Sequence, residues 1–405
     1  MRSITNKIAL LFVCGCTIVS GQTAYDSLRI KAERLSKEFI IVDTHIDVPE
    51  QLRDHWQDIS RRIPKGDFDY PRAREGGLSA PFMSIYIPPE EEKLGTAKQS
   101  ANRLIDMVDK FAKNWPDKFA IAVSPQDVTK EFKAGIISLC LGLENGAPLE
   151  TEQDVEHFYK RGIRYVTLTH SLDNHICDSS YDTTRTWHGL SPFGKKLITD
   201  LNRTGIMVDV SHISDEAFYQ VIEISKAPVI ASHSSCRYFT PGFERNMSDD
   251  MIKLLAKNGG VLQINFGSAF LIKAYRDHQA ATREAIAEYL HKHKLRSGEF
   301  KARAYARTYR RNHPEPHAAV SDVVAHIDHV VKLVGIDYVG IGSDFDGVGD
   351  TLPVGLEDVS KYPNLIYGLL KAGYSDEDIR KICGENLLRV WAQAQKFAME
   401  PQSGR

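Results

Sequence analysis

The residues of this chain that could carry chemistry are histidines and carboxylates, and they fall at the ends of apolar runs. Phe39-Ile40-Ile41-Val42-Asp43-Thr44-His45-Ile46-Asp47 closes in a His-x-Asp pair, Leu141-Gly142-Leu143-Glu144 in a glutamate, and Tyr165-Val166-Thr167-Leu168-Thr169-His170 in a histidine. Met207-Val208-Asp209-Val210-Ser211-His212, Val229-Ile230-Ala231-Ser232-His233 and Val339-Gly340-Ile341-Gly342-Ser343-Asp344 repeat the pattern. A single residue of this kind commonly caps a helix or bonds to loop backbone. Six run ends converging on one cavity are different, because that much buried polarity needs a metal or pairing to offset its desolvation. Imidazoles and carboxylates without thiolates suit a catalytic zinc or another first-row ion. His45, Asp47, Glu144, His212 and His233 together exceed what one ion needs when a water position stays open. The pattern therefore predicts two ions sharing a carboxylate, with Glu144 bridging, His45 and Asp47 on one ion, and His212 and His233 on the other.

Such a site needs elements that bring the run ends together. Short apolar, β-branched runs recur at Glu38 to Thr44, Ala80 to Ile87, Gly135 to Leu143, Ile163 to Thr169, Ile206 to Ser211, Pro228 to Ser232, Gly260 to Phe266 and Tyr338 to Ser343. Stretches of helical periodicity separate them. Eight such repeats predict an α/β fold, a (β/α)8 barrel, whose catalytic groups sit at the C-terminal strand ends. With no linker or internal repeat in residues 22–405, one domain is expected. Arg53 to Pro71 and an insert over Leu271 to His317 read as elaborations on it. The insert carries Lys292, Lys294, Arg296, Lys301, Arg303, Arg307, Arg310 and Arg311; a solvated helix face is the commoner use of such a run, an anionic partner the rarer one. Glu90-Glu91-Glu92 after Pro88-Pro89 reads as a helix start.

Composition narrows the function classes. The chain has 405 residues, 42% hydrophobic and 26% charged, with 51 Lys+Arg against 53 Asp+Glu, for a net charge of −2. That is enough for a full core, and it supplies no positive field to hold nucleic acid. Arg2 and Lys7 precede an apolar run from Ile8 to Val19, the pattern of a secretory signal over residues 1–21 with cleavage before Gln22. Val13-Cys14-Gly15-Cys16 also fits a bacterial lipoprotein signal with Cys16 lipidated. Both readings place the protein outside the cytoplasm, in the periplasm or at the cell envelope. Cys140, Cys177, Cys236 and Cys383 contain no CxxC, which excludes a thiolate zinc site; disulfides and buried free thiols both remain open.

The motifs together resemble the membrane dipeptidase, or renal dipeptidase, family of zinc peptidases. The resemblance rests on Asp43-Thr44-His45-Ile46-Asp47, Leu143-Glu144-Asn145-Gly146, Leu168-Thr169-His170-Ser171, Asp209-Val210-Ser211-His212, Ala231-Ser232-His233-Ser234-Ser235, Gly342-Ser343-Asp344-Phe345-Asp346-Gly347 and Gly384-Glu385-Asn386-Leu387-Leu388-Arg389-Val390-Trp391. Each string is weakly specific, but their shared order is a strong signal, covering roughly residues 35 to 395. It implies a (β/α)8 barrel with two zinc ions held by His45, Asp47, bridging Glu144, His212 and His233. It also implies that His170 polarises the scissile carbonyl or holds the oxyanion, that Arg245 of Arg245-Asn246 binds the substrate carboxylate, and that Asp344 transfers a proton and holds the substrate amine. Animal members carry a C-terminal lipid anchor. This chain ends in Met399-Glu400-Pro401-Gln402-Ser403-Gly404-Arg405 without an apolar tail, so any anchoring must come from the N-terminus.

The expected activity is hydrolysis of dipeptides with a free C-terminal carboxylate, including a D-residue at that position, by water activated between the metals. Other amide or lactone hydrolysis on the same scaffold is one alternative, separated by a substrate panel. A non-catalytic exported binding protein is another, marked by tight binding without product release. A homodimer is compatible with the sequence and leaves no motif in it.

Overall fold

The computed structural model describes residues 16–400, with side chains from Ser27 onward. Of the expected leader, residues 1–15 lie outside the described residues, and the rest is the backbone start of the helix Cys16–Glu38. Among the described residues no helix is long and apolar enough to cross a membrane.

Eight parallel strands form the barrel in the order β1 (Ile41–Ile46), β2 (Leu78–Tyr86), β4 (Ile137–Glu144), β5 (Ile163–Thr167), β6 (Met207–Asp209), β7 (Ile230–Ser234), β8 (Val261–Ile264) and β9 (Val339–Ile341). A bridge between Ile46 and Phe345 brings the chain after β9 back to β1 and nearly closes the ring. Each of the eight expected runs overlaps one of these strands. β3 (Phe119–Ile121), which sequence periodicity does not reveal, is three residues long and pairs only with β4, outside the barrel path. Strands this short contain too few residues to display a period of two.

Helices fill the connections and are bounded by local signals. Ser124, Thr151, Ser191, Ser214, Ser248 and Ser375 each accept a hydrogen bond from a first-turn backbone N–H. The helix Pro192–Thr204, for example, starts at Ser191 with proline in its first turn and ends at Gly205 in the left-handed conformation. Glu90 does begin a helix, Glu90–Leu94. Between β8 and β9, ahead of the helix Val320–Val334, the helices Lys273–Lys292 and Phe300–Asn312 pack on each other as a hairpin.

Two apolar clusters hold the layers together. The larger lies between the strands and their surrounding helices. The smaller takes Val42, Phe82, Cys140, Tyr165, Met207, Ile230 and Val261 from seven strands and meets Leu387, Val390 and Trp391 of the last helix, Asn386–Met399. Side chains from so many strands can meet only inside the barrel, so this layer is the floor beneath the strand ends. Cys140, Cys177, Cys236 and Cys383 are all buried free thiols, which closes the disulfide alternative for them.

Candidate active site

Glu144 is the last residue of β4 and His233 lies within β7, whereas His170, His212 and Asp344 each stand three residues past a strand end. The ladder stops early because the chain turns there: His212 has φ +71° and Asp344 φ +65°, and Asn145 and Asp346 are also left-handed. Non-glycine residues in that region are uncommon and cost of order 1 kcal/mol or more each, so tertiary contacts must hold them. For Asp344 those contacts are explicit. Its N–H donates to the His45 carbonyl (3.0 Å), and the Asp47 N–H donates to the Phe345 carbonyl (2.9 Å).

The five expected ligands and His170 converge on one point. His45 Nε2 lies 3.3 Å from Glu144 Oε2 and 3.4 Å from Asp47 Oδ2. His212 Nε2 and His233 Nε2 lie 3.2 and 3.4 Å from the other carboxylate oxygen, Oε1, and 2.8 Å from each other. His170 Nε2 is 3.7 Å from Oε1. The donor atoms form three overlapping groups: His45, Glu144 and His233; Glu144, His170 and His212; and His45, Asp47 and Asp344.

Outer partners fix the rings. His45 Nδ1 meets the Tyr165 hydroxyl at 2.8 Å. His233 Nδ1 meets Ser232 Oγ at 2.7 Å, and that hydroxyl donates to Asp209 Oδ2 at 2.6 Å. Asp209 is itself held by the Ser211 and Ser232 N–H groups. With the protons on Nδ1 of both rings, Nε2 of each presents a lone pair to the centre.

These contacts fit a bound cation. His45 Nε2 is buried with no hydrogen-bond partner, a costly arrangement for a lone pair unless a cation takes it. His212 and His233 aim nitrogen at nitrogen. Burial, with the Arg245 charge nearby, pushes both well below the usual imidazole pKa, so they are neutral as ligands require. Burial works against the Glu144 carboxylate, but His45, His212 and His233 outweigh it and hold Glu144 ionised well below the usual range. Burial also disfavours charge on His45, yet the Tyr165 hydroxyl, Glu144 and Asp47 raise its pKa. In the absence of a metal, a proton is the cation this ring would take.

A cavity of about 620 Å³ opens over the donors, lined by Asp47, Tyr86, Glu144, His170, Tyr181, His212, Phe270, Tyr275 and Asp344 among others. His170 packs edge-on against Tyr86 (4.8 Å) and over His212 (4.3 Å), and burial lowers its pKa. Asp344 is buried. Desolvation raises its pKa to about 7, opposed by His45 and reinforced by Asp47 and Glu144. Arg245 is buried beneath Phe270 and donates to Ser234 Oγ (2.7 Å) and the His233 carbonyl (2.8 Å), leaving Nε without a partner. Sequence reasoning missed Asn265, whose amide donates to Asp344 Oδ2 at 2.7 Å. It also missed the wall residues Tyr86 and Tyr181; a tyrosine in an apolar stretch gives no signal distinguishing a wall from the core.

A (β/α)8 barrel with three buried imidazoles and two carboxylates meeting under an open cavity is a metal-dependent barrel enzyme. The family model for membrane dipeptidase, peptidase family M19, matches residues 29–404, and the chain belongs to that family of metallopeptidases. The probable dipeptidase PvdM from Pseudomonas aeruginosa is 28% identical, with a TM-score of 0.81 over 92% of this chain and all of that one. The same barrel recurs, at 23% identity, in a metallo peptidase from Rhodobacter sphaeroides liganded with a phosphinate mimic of the dipeptide L-Ala-D-Ala. The match covers 88% of this chain and 99% of that one, with a TM-score of 0.72. An amidohydrolase from Pseudomonas aeruginosa, also 23% identical, has a TM-score of 0.69 over 90% of this chain and 98% of its own.

Proposed function

We propose that this metallopeptidase hydrolyses dipeptides with a free C-terminal carboxylate at a centre of two zinc ions bridged by Glu144. The observation that carries this reading is the division of labour at Glu144. One carboxylate oxygen faces His45, which Asp47 also meets, while the other faces His212 and His233. Nitrogen and oxygen donors without thiolate favour zinc in a catalytic rather than a structural role. Bound there, the ions would supply Lewis acidity to the substrate carbonyl and lower the pKa of a water.

The remaining steps belong to the chain's own residues. Arg245, buried and with Nε free, is the group that would take the substrate carboxylate, which limits substrates to short chains. His170, neutral and at the cavity wall, would donate to the developing oxyanion. Asp344, with its pKa near neutrality and oriented by Asn265, can take a proton and pass it to the leaving amine. The Rhodobacter protein holds a mimic whose C-terminal residue is D-alanine, which supports acceptance of a D-residue at that position here. The Arg2 to Gln22 pattern supports export.

The test combines metal content and turnover on one preparation. About two metals per chain are expected, with dipeptide hydrolysis lost on chelation and restored by zinc. Arg245→Ala should chiefly raise KM, and Asp344→Ala should chiefly lower kcat. One metal per chain with full activity would overturn the binuclear reading, and unchanged kinetics in both variants would overturn the roles.

A further inference from the structure

The hairpin between β8 and β9 concentrates a charge that the site does not use. Residues 292–311 hold eight Lys or Arg and a single acid, Glu299, a net +7 in a chain whose total is −2, so the remainder carries −9. Lys292, Lys294, Arg296, Lys301, Arg303, Arg307, Arg310 and Arg311 are all exposed. Among the described residues none of them forms an ion pair, although cations elsewhere commonly do. Arg161, Arg185, Arg203 and Arg237, for example, each meet a carboxylate. Leaving eight like charges together against a single acid stores repulsion that a solvated face does not require.

The charges are ordered. Arg303, Arg307 and Arg310 follow the three-and-four spacing of one face of the helix Phe300–Asn312. They rim a cavity of about 500 Å³ between the two helices, floored by Ile286, Leu290, Ala302 and Ala306. Phe300, three residues before Arg303 on the same face, is 80% exposed. Ring stacking joins the two helices, with Tyr289 of the first on Tyr305 of the second at 3.5 Å. An apolar floor under a rim of arginines, with a bare phenylalanine beside it, matches an amphiphile that has an anionic head and an apolar tail.

We propose that this hairpin docks the protein on an anionic phospholipid bilayer, with Arg303, Arg307 and Arg310 meeting lipid phosphates and Phe300 entering the interface. Tyr275 and Gln279 of the first hairpin helix line the active-site cavity. The loop after Lys292 begins about 20 Å further along that helix at 1.5 Å per residue, so Phe300, just past that loop, enters the interface away from the cavity. Free polyphosphate or nucleic acid would satisfy the arginines alone and leaves the apolar floor and Phe300 unexplained.

The experiment is co-sedimentation of the full chain with vesicles of phosphatidylcholine alone and of phosphatidylcholine mixed with phosphatidylglycerol. Binding is expected only to the mixed vesicles and to weaken with salt. The variant Arg303→Gln, Arg307→Gln, Arg310→Gln should bind roughly a hundredfold less tightly, at about fivefold per surface cation, with dipeptide hydrolysis in solution unchanged. Phe300→Ser should lower binding while preserving its salt dependence, and it tests the interface independently of the arginines. No binding to the mixed vesicles, equal binding to neutral vesicles, wild-type binding by both variants, or retention of polyphosphate or RNA homopolymer without vesicle binding would each overturn the proposal.

Discussion

Gly142 offers a direct test of how the barrel floor sets the metal centre. It lies in the middle of β4, its φ is not left-handed, and a β-carbon there would fall 2.0 Å from Cζ of Tyr165 on β5. The glycine is therefore required by the ring's close approach and not by backbone conformation. Tyr165 is fully buried and packs on its other side against Phe82, which in turn meets Trp391. In Gly142→Ala the ring must move by roughly 1.5 Å to regain ordinary van der Waals separation. That shift breaks the 2.8 Å contact between the Tyr165 hydroxyl and His45 Nδ1. Overpacking costs about 1–3 kcal/mol and the lost hydrogen bond about 1 kcal/mol. At about 2.1 cal/mol/K per residue, this lowers Tm by roughly 2–5 °C. Releasing His45 from its outer partner should also weaken metal binding about 10–100-fold. Tyr165→Phe keeps the ring and removes the hydroxyl, so it should reproduce most of the affinity loss with a smaller Tm change. Zinc titration against a chromogenic chelator, with calorimetry on the same samples, measures both. Because both variants act through one contact, the double variant should bind zinc no more weakly than Gly142→Ala alone. Additive losses, or wild-type affinity in Gly142→Ala, would refute the link.

Two further outcomes follow from other contacts. Ser232→Ala removes the hydroxyl joining His233 Nδ1 to Asp209; zinc affinity should fall about tenfold while KM for dipeptides stays close to wild type, and an unchanged affinity would show that Asp209 does not orient the ring. His175 lies away from the centre. Burial opposes its charge, but hydrogen bonds from Nδ1 to Glu92 and from Nε2 to the Leu149 carbonyl raise its pKa. A raised folded pKa stabilises below the unfolded value of about 6.5 and is lost as pH rises through the folded value. The stability difference between wild type and Glu92→Gln should then be about 1 kcal/mol near pH 6 and smaller near pH 9, and a pH-independent difference would contradict this.

How much of this was legible in the sequence depends on what a residue type reveals alone. His45, Asp47, Glu144, His212 and His233 were visible because ionisable residues at the ends of apolar runs are expensive unless something pairs with them. The barrel was visible for a related reason: strands covered on both faces read as continuous apolar runs. The turns carrying His212 and Asp344 were not, since the usual mark of a left-handed residue is glycine and neither position has one. Their strands end at Asp209 and Ile341, earlier than the apolar runs suggest. Gly142 and Tyr165 were invisible as a pair, because a glycine and a tyrosine in two separate strands look like core until the register sets them side by side.

That hidden pair connects fold stability to metal affinity. The centre is built from features that each work against folding: neutral buried imidazoles facing one another, a buried carboxylate, and non-glycine residues at positive φ. A cation held there would convert the first two from costs into ligand bonds, so metal binding free energy would also be stability. The floor layer transmits this, since Tyr165 belongs both to the apolar cluster closed by Trp391 and to the outer partners of His45. A substitution in the floor should therefore move Tm more in the metal-loaded protein than in the stripped protein. For Gly142→Ala the overpacking cost is common to both states, and only the loss tied to His45 depends on metal. A 10–100-fold loss of affinity corresponds to about 1.4–2.7 kcal/mol, or roughly 2–3 °C of additional Tm loss in the loaded protein. Equal Tm losses in loaded and stripped protein would mean that the floor holds the barrel without tuning the centre.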